Sequence, residues 1–235
     1  MNVEIWSDVI CPWCYIGKRR FETALAGFEH RDDVSVVWRS FELDPQASRH
    51  YEGTLDDLLA HKYGMPKTQA AVMNARVAAL AAAEGLDYHL DRAKPSNTVD
   101  AHRLIHVAAH HGLQAEAKER LLRAYFTEGL AIGDAGVLAA LATEIGLNAE
   151  EVRDVLDGDA YVDEVRADEQ RAASFGISGV PFVVIDERYG VSGAQSPEVF
   201  LQALEQAWAA SKPLVAVGGP AAAESCDGDG CAVQA

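Results

Sequence analysis

The chain has 235 residues, of which 49% are hydrophobic, and its 20 basic and 36 acidic side chains give a formal net charge of −16. A chain this long and apolar can bury a core as one large domain or two small ones, which excludes overall disorder. Because its charge repels nucleic-acid phosphates and anionic membranes, we expect neither as a main partner.

The first ten residues carry neither the basic start nor the apolar stretch of a secretory signal, and no apolar run predicts a membrane-spanning helix. We therefore expect a cytoplasmic protein, in a compartment where thiols are kept reduced. Four cysteines are too few for a disulfide scaffold, so their placement matters more than their number.

The N-terminal segment predicts a β-α-β unit. Alternating apolar residues indicate a strand over 2–8, and apolar residues at helical spacing indicate a helix from Tyr15 to about Phe28. A second strand is predicted over 34–43. This order is typical of a parallel strand pair.

The middle of the chain, from Thr54 to about Ala173, is predicted to be almost entirely helical. Caps, glycines and polar breaks divide it into segments. The predicted helices begin at Thr54, with Asp57 as its capping partner, and continue over 67–84, 97–111, 114–128, 134–145, 148–156 and 159–174.

Strands return near the C-terminus, over 180–185 and 189–192, and a last helix begins at Pro197. The distant strands can share one sheet only if the helical block is an insertion. We therefore predict an α/β domain formed by 1–50 and 175–212, a helical insertion domain over 51–174, and a flexible tail over 213–235.

Cys11 and Cys14 form a Cys-Pro-Trp-Cys motif at the predicted junction of the first strand and helix. Unpaired N–H groups and the helix dipole at this position favour a thiolate, and Pro12 suits a first helical turn. The spacing lets Cys14 return to the Cys11 sulfur and resolve a mixed disulfide. The motif therefore predicts thiol–disulfide exchange.

A zinc site is the alternative for these cysteines, and it would need a second close pair on ordered chain. Cys226 and Cys231 are more widely spaced and lie in the predicted tail. We therefore expect neither a metal nor another cofactor.

Val180-Pro181 opens the buried strand over 180–185, although proline is unusual in a central strand. A cis peptide bond beside the cysteines would permit it and would turn the Val180 N–H and C=O outward to pair with an extended peptide. An ordinary trans proline at a strand start is the alternative.

These residues resemble the DsbA family of thioredoxin-fold proteins, and most closely its cytoplasmic, FrnE-like branch. The matching stretches are 6–18, 41–45, 97–98 with 101–104, 175–182 and 192–195. The resemblance implies an α/β thioredoxin fold interrupted by a large all-helical insertion, with thiol–disulfide exchange at Cys11. It also makes Cys226 and Cys231 a candidate second redox pair, since some members carry a C-terminal Cys-x4-Cys.

Two departures from related proteins bear on the chemistry. Many thioredoxin-fold oxidoreductases bury an acid six residues before the nucleophile, where this chain has Ile5; Glu4 should face the other way and Asp8 lies nearer the motif. DsbA itself has a histidine inside its motif, whereas Trp13 carries no charge. We therefore predict a less oxidising pair than that of DsbA.

Other candidate residues have weaker signals. His102, His106 and His110 share one helical face without an evident carboxylate partner, so packing or solvent exposure is expected; His102 falls in a family stretch and is a candidate to line the cleft with Val180, Pro181 and Trp13. The acidic run over 150–171 and Lys18 are expected on the surface.

The leading hypothesis is a cytoplasmic disulfide oxidoreductase or isomerase. Its expected partners are a disulfide-bonded protein or small molecule and a thiol reductant such as glutathione or a thioredoxin-type donor. A homodimer is one arrangement left open. The rivals are a glutathione-dependent isomerase of the 2-hydroxychromene-2-carboxylate isomerase type and a redox-inactive peptide-binding chaperone.

Overall fold

The computed structural model describes residues 1–211, which form one four-stranded sheet and a helical unit that packs against it. The helical unit consists of the helices between the second and third strands. The strands are β1 Asn2–Ser7, β2 Ser35–Ser40, β3 Phe182–Ile185 and β4 Tyr189–Ser192. The helices are α1 Pro12–Gly27, α2 Leu55–Tyr63, α3 Lys67–Ala83, α4 Val99–His110, α5 Gln114–Arg123, α6 Ala135–Glu144, α7 Ala149–Asp157, α8 Val162–Ser174 and α9 Pro197–Ala210. A π-helical turn, Ala124–Glu128, continues α5. The helices of the helical unit, between β2 and β3, are thus α2 to α8.

The strand order is β2-β1-β3-β4, with β1 parallel to β2 and the other neighbours antiparallel. Ile5 lies opposite Trp38 on one side and Val183 on the other, so segments about 140 residues apart complete one sheet. The predicted thioredoxin fold with a helical insertion is confirmed.

Successive side chains of β1 point to opposite faces of the sheet, as the sequence predicts. Val3 and Ile5 pack in one apolar cluster with α1 and α9, where Phe21 and Phe200 meet edge to face at 5.8 Å. Glu4 lies on the opposite face, buried and paired with arginines from β2 and α8. The position six residues before Cys11 is therefore apolar, and the neighbouring acid does not reach the cysteines.

The helical unit has its own core, in which fully buried side chains from α4, α5, α6 and the π-helical turn meet. Its first helix begins as predicted, with a reciprocal capping box between Thr54 and Asp57. The next helix ends before Gly85, whose φ of +75° favours glycine. Local signals therefore set the ends of these helices.

Polar contacts attach the helical unit to the sheet. The side-chain amide of Gln114 bonds both backbone groups of Trp38, with its Oε1 and Nε2 each 3.0 Å from the partner atom. This pairing covers the outer edge of β2, which would otherwise present unpaired N–H and C=O groups. Trp6 Nε1 donates to the carbonyl oxygen of Asp168 at 2.9 Å and attaches α8 to the other face.

The acidic run over 150–171 is not a uniformly solvated face, which corrects the sequence prediction. Asp168 is buried and bonds the Ser40 N–H at 2.8 Å and Arg39 Nη1 at 3.0 Å. Hydrogen bonds from His106 and Ser40 outweigh the effect of burial and lower the pKa of Asp168. A carboxylate with these partners can be buried at the contact between α8 and β2.

Lys18 is also not on the surface, contrary to expectation. Its side chain is buried, and its ammonium pairs with Glu22 on the same helix and with Glu119 on α5. The lysine therefore joins α1 to the helical unit.

Candidate functional site

The motif cysteines lie where the chain leaves β1 and enters α1. Cys11 immediately precedes the helix in an extended conformation, and Pro12 is the first helical residue. The Cys11 N–H donates to Asp8 O at 3.3 Å, and the Cys14 N–H donates to Cys11 O at 3.0 Å. The Cys11 sulfur thus lies at the positive end of the helix, which favours an anion.

Both cysteines are free thiols, and they lie against the loop that leads into β3. Cys11 is 4% exposed and Cys14 is 1% exposed. The Val180–Pro181 peptide bond is cis, and Cys11 Sγ lies 3.6 Å from Val180 O. The fold therefore brings Cys11, Cys14, Val180 and Pro181 together, and Trp13 projects from the same turn with 40% of its surface exposed.

The two thiols share a hydrogen bond, which separates their titrations. Burial raises the pKa of Cys14, but Cys11, Lys118, the Ser7 hydroxyl and the Asp8 N–H outweigh it and lower that pKa. The pKa of Cys11 is raised well above its usual value, first by its hydrogen bond to Cys14 and then by burial. The two thiols therefore titrate as one pair that loses its first proton readily and holds the second, and the shared hydrogen bond leaves a single negative charge between the two sulfurs.

A buried polar cluster lies directly behind the cysteines. Oδ1 of Asp8 lies 3.3 Å from His102 Nε2, and its Oδ2 accepts from the Leu43 N–H at 2.8 Å. Burial raises the pKa of Asp8, but these hydrogen bonds outweigh it and lower that pKa. Lys118 Nζ donates to Ser7 O at 3.1 Å. The charged groups that act on the pKa values of the two cysteines are thus Asp8 and Lys118.

His102 does not line the cleft. It is completely buried and bonds Asp8, so it holds α4 against the turn before Cys11 and presents no surface to a substrate. His106 contacts Ser40 Oγ at 3.1 Å and Asp168 Oδ2 at 3.3 Å, whereas His110 is exposed. The expectation that these histidines lack carboxylate partners is therefore wrong for His102 and His106. The three histidines share a helical face in sequence, but each has different surroundings.

The sequence analysis predicted no role for two residues that lie at the site, Tyr88 and Lys118. Tyr88 donates its hydroxyl hydrogen to Pro12 O at 2.7 Å and so fixes the first turn of α1. Lys118 shares the buried face of α5 with Leu121 and Leu122, at helical spacing. That spacing could have identified Lys118 as buried, whereas nothing local identifies Tyr88.

Two features are absent from the part of the chain that the structure describes. Within residues 1–211, no helix is long and apolar enough to cross a membrane. The same residues place no three histidine, cysteine or acidic side chains together as a metal site would require. The second cysteine pair, Cys226 and Cys231, lies outside the described residues.

The chain is similar to several known proteins along most of its length. It is 49% identical to the probable DsbA oxidoreductase SCO1869 from Streptomyces coelicolor, with a TM-score of 0.87 and all of both chains covered. It is 29% identical to the uncharacterized protein YwbO of Bacillus subtilis (strain 168) over 206 residues, which are 87% of this chain and 96% of that protein.

More distant structures share the fold. The cytosolic disulfide reductase DsbM from Pseudomonas aeruginosa, solved with GSH, has 20% identity and a TM-score of 0.64, covering 89% of this chain and all of that one. A 2-hydroxychromene-2-carboxylate isomerase has 13% identity and a TM-score of 0.62, covering 89% of this chain and 95% of that one.

A family model also matches the chain from the first strand to the last helix. The model describes a DSBA-like thioredoxin domain, and it covers residues 2–205, which include both motif cysteines and Val180–Pro181. The sheet order and the helices inserted between β2 and β3 agree with this match. The chain belongs to the DsbA-like thioredoxin family.

Proposed function

We propose that this protein is a thiol–disulfide oxidoreductase in which Cys11 attacks a substrate disulfide and Cys14 resolves the mixed disulfide. One observation carries the proposal: the two free thiols lie at the start of α1, and Cys11 Sγ lies 3.6 Å from Val180 O of the cis-proline loop. Cys11 is the more exposed of the two, so it is the sulfur that a substrate reaches first.

The loop containing Val180–Pro181 is proposed to hold the substrate. Its backbone lies at the entrance to β3, where an extended peptide could pair with it as an added strand. Trp13 offers an exposed aromatic surface in the first turn of α1, between the two cysteines in sequence. Together these groups would orient a disulfide for attack along the S–S axis.

The proposed direction is reduction in the cytoplasm, with glutathione or a thioredoxin-type protein as the electron donor. The uncharged Trp13 supports a less oxidising pair than one that contains histidine. The similarity to a cytosolic disulfide reductase agrees with reduction as the direction of the reaction. At 20% identity this similarity shows the fold alone. Cys226 and Cys231 are proposed to exchange with the first pair.

The alternative of a glutathione-dependent isomerase is less well supported. The solved isomerase shares the fold at 13% identity, but this chain has a cysteine at both motif positions, as disulfide exchange requires. Isomerase activity that survives Cys11→Ser would support that reading. If the protein were instead a redox-inactive chaperone, the double variant Cys11→Ser/Cys14→Ser would suppress aggregation as well as the parent protein.

The test is insulin reduction by the full chain with glutathione as the reductant. Cys11→Ser should abolish the reaction, because the remaining Cys14 is nearly inaccessible to a substrate disulfide. Cys14→Ser should accumulate a mixed disulfide that mass spectrometry detects. The double variant Cys226→Ser/Cys231→Ser is the matched control and should still reduce insulin in a single turnover. Full activity in Cys11→Ser would refute the mechanism.

A further inference from the structure

A buried positive charge from the helical insertion lies against Ser7 at the end of β1, and it is one of the groups that lower the pKa of Cys14. Lys118 on α5 is 1% exposed; its Nζ donates to Ser7 O and lies 5.8 Å from the centre of the Trp38 ring. Among the described residues it forms no salt bridge. A buried ammonium without a counter-ion in direct contact is costly, so a nearby anion would compensate it.

An unpaired hydroxyl points to where that anion forms. Ser7 Oγ is buried and has no hydrogen-bond partner among residues 1–211, and its hydroxyl is one of the groups that lower the pKa of Cys14. A neutral thiol is a weak acceptor, whereas a thiolate accepts strongly charge-assisted hydrogen bonds. The Asp8 N–H is a second donor to the same sulfur. These donors can form strong hydrogen bonds to the Cys14 sulfur only after Cys14 loses its proton.

We propose that Lys118 is a positioning residue that stabilises the Cys14 thiolate in the resolving step, with the Ser7 hydroxyl and the Asp8 N–H as hydrogen-bond donors. The inference deepens the proposed function and rests on it. The helical insertion thereby supplies electrostatic control of Cys14, while the position six residues before Cys11 holds the apolar Ile5.

The resolving step conserves atoms and electrons. In the mixed disulfide, Cys11 is bonded to the substrate sulfur. The Cys14 sulfur forms a bond to the Cys11 sulfur, the bond from Cys11 to the substrate breaks, and its electron pair leaves with the substrate sulfur. The proton lost by Cys14 ends on that leaving sulfur. The cysteine pair is oxidised by two electrons and the substrate is reduced by two.

Several charged groups besides Cys14 act on Lys118, and they set its response to pH. The pKa of Lys118 is lowered to about 8, because burial, with a smaller effect from Lys18 on α1, outweighs the opposite effects of Cys14, Asp8 and Cys11. Asp8 itself is bonded to His102 on α4. The β2 strand contributes the Trp38 ring near the ammonium, and the Cys14 thiolate and Asp8 are the anions that favour the charged form of Lys118.

The decisive experiment titrates Cys14 alone, in the full chain carrying Cys11→Ser, Cys226→Ser and Cys231→Ser. Thiolate absorbance measured against pH gives the Cys14 pKa. Lys118→Met should raise that pKa by about one unit, which is about tenfold in the ionisation constant. Ser7→Ala should raise it by less. Lys118→Arg should restore the parent value, because it keeps the charge.

Lys18→Met is the matched control, since it removes another buried lysine whose partners are Glu22 and Glu119. It should leave the Cys14 pKa unchanged. Lys118→Gln, which keeps a donor for Ser7 O, replaces Lys118→Met if the latter does not fold. An unchanged Cys14 pKa in a folded Lys118 variant would overturn the inference.

A second measurement separates this inference from the proposed function. With all four cysteines present, Lys118→Met should slow release of substrate thiol from the mixed disulfide by about tenfold. The attack by Cys11 should change less. If the parent protein performs no exchange, the proposed function fails, and the Cys14 titration still decides the role of Lys118. If the parent protein and Lys118→Met both perform exchange and release substrate thiol at equal rates, only the inference about Lys118 fails.

Discussion

Gly17, one turn after Cys14, allows α1 to approach the Val180–Pro181 loop. A Cβ atom at this position would lie 3.0 Å from Pro181 Cγ and 3.5 Å from the Ala194 Cα. Such a contact is tighter than ordinary packing permits, so either the helix or the loop would have to move. The distance between the cysteines and the loop therefore depends on the missing side chain.

We predict that Gly17→Ala lowers both stability and the rate of exchange. Crowding at a packed contact costs about 1–3 kcal/mol, which exceeds the gain of about 1 kcal/mol expected from replacing a helical glycine. Thermal unfolding and single-turnover insulin reduction measure the two effects. Gly27→Ala on the same helix has no atom within 4 Å of its Cβ and should be neutral or stabilising. Equal behaviour of the two variants would contradict this account.

At the scale of elements, α1 and α5 are joined by an ionic cluster centred on Glu119. Tyr15 donates to its carboxylate at 2.6 Å, and Lys18 lies 2.6 Å from its Oε2. Arg19 also pairs with it. Burial raises the pKa of Glu119, but the hydrogen bonds from these partners outweigh it and lower that pKa to about 2.

This depressed pKa predicts a pH-dependent contribution to stability. A carboxyl whose pKa is lower in the folded state stabilises the fold above its usual pKa and loses that effect as acid protonates it. The contribution of Glu119 is therefore complete above about pH 4.5 and is lost towards about pH 2. Glu119→Gln should lower the melting temperature at neutral pH, and the difference should shrink across that window.

The control for this prediction is Glu116→Gln, on the same helix. Glu116 is exposed and forms no salt bridge within residues 1–211, so its replacement should shift the melting temperature little at any pH. Denaturant unfolding repeated across the acid range measures both variants. A constant difference between Glu119→Gln and the parent protein at every pH would show that the charge is not the cause.

At the scale of the whole molecule, the sheet and the helical unit are joined by apolar and by buried polar contacts. Val9, Tyr15 and Ile16, which follow β1, lie in the apolar core of the helical unit. His102 bonds Asp8, Lys118 bonds Ser7, and Gln114 covers the edge strand at Trp38. Breaking the interface would leave these buried groups without partners, which costs about 1–3 kcal/mol for each. We therefore expect the two units to unfold together.

Leu121→Ala tests this coupling. The side chain is 1% exposed in the helical core, so truncation should cost about 2–5 kcal/mol. All four tryptophans lie outside the helical unit, at positions 6, 13, 38 and 208. Tryptophan fluorescence and far-ultraviolet circular dichroism should shift together to a lower midpoint.

The matched control is Leu80→Ala, whose side chain is 42% exposed and whose truncation should change the midpoint much less. A fluorescence transition that stays in place while the dichroism transition moves would mean that the units unfold independently. In that case the buried polar contacts between them would contribute little to stability.

The sequence by itself determined the local features. Alternating and helical apolar spacing predicted the β-α-β start, the helical block and the final strands, because burial of one face imposes those periods. The position of Cys11 before Pro12 predicted a thiol at a helix N-terminus, since both residues fall in one strand-to-helix connection. The capping pair Thr54 and Asp57 was equally local.

The tertiary structure decided which distant residues meet and which charges are buried. Asp168 looked like one solvated acid among many, yet it is buried where α8 crosses β2. His102 is buried against Asp8, which precedes the cysteines. Lys118 contacts Ser7 from a helix more than 100 residues away in sequence. The charge environment of Cys14 depends on how the helical unit packs against the sheet, because a side chain's electrostatic partners are set by distance in space.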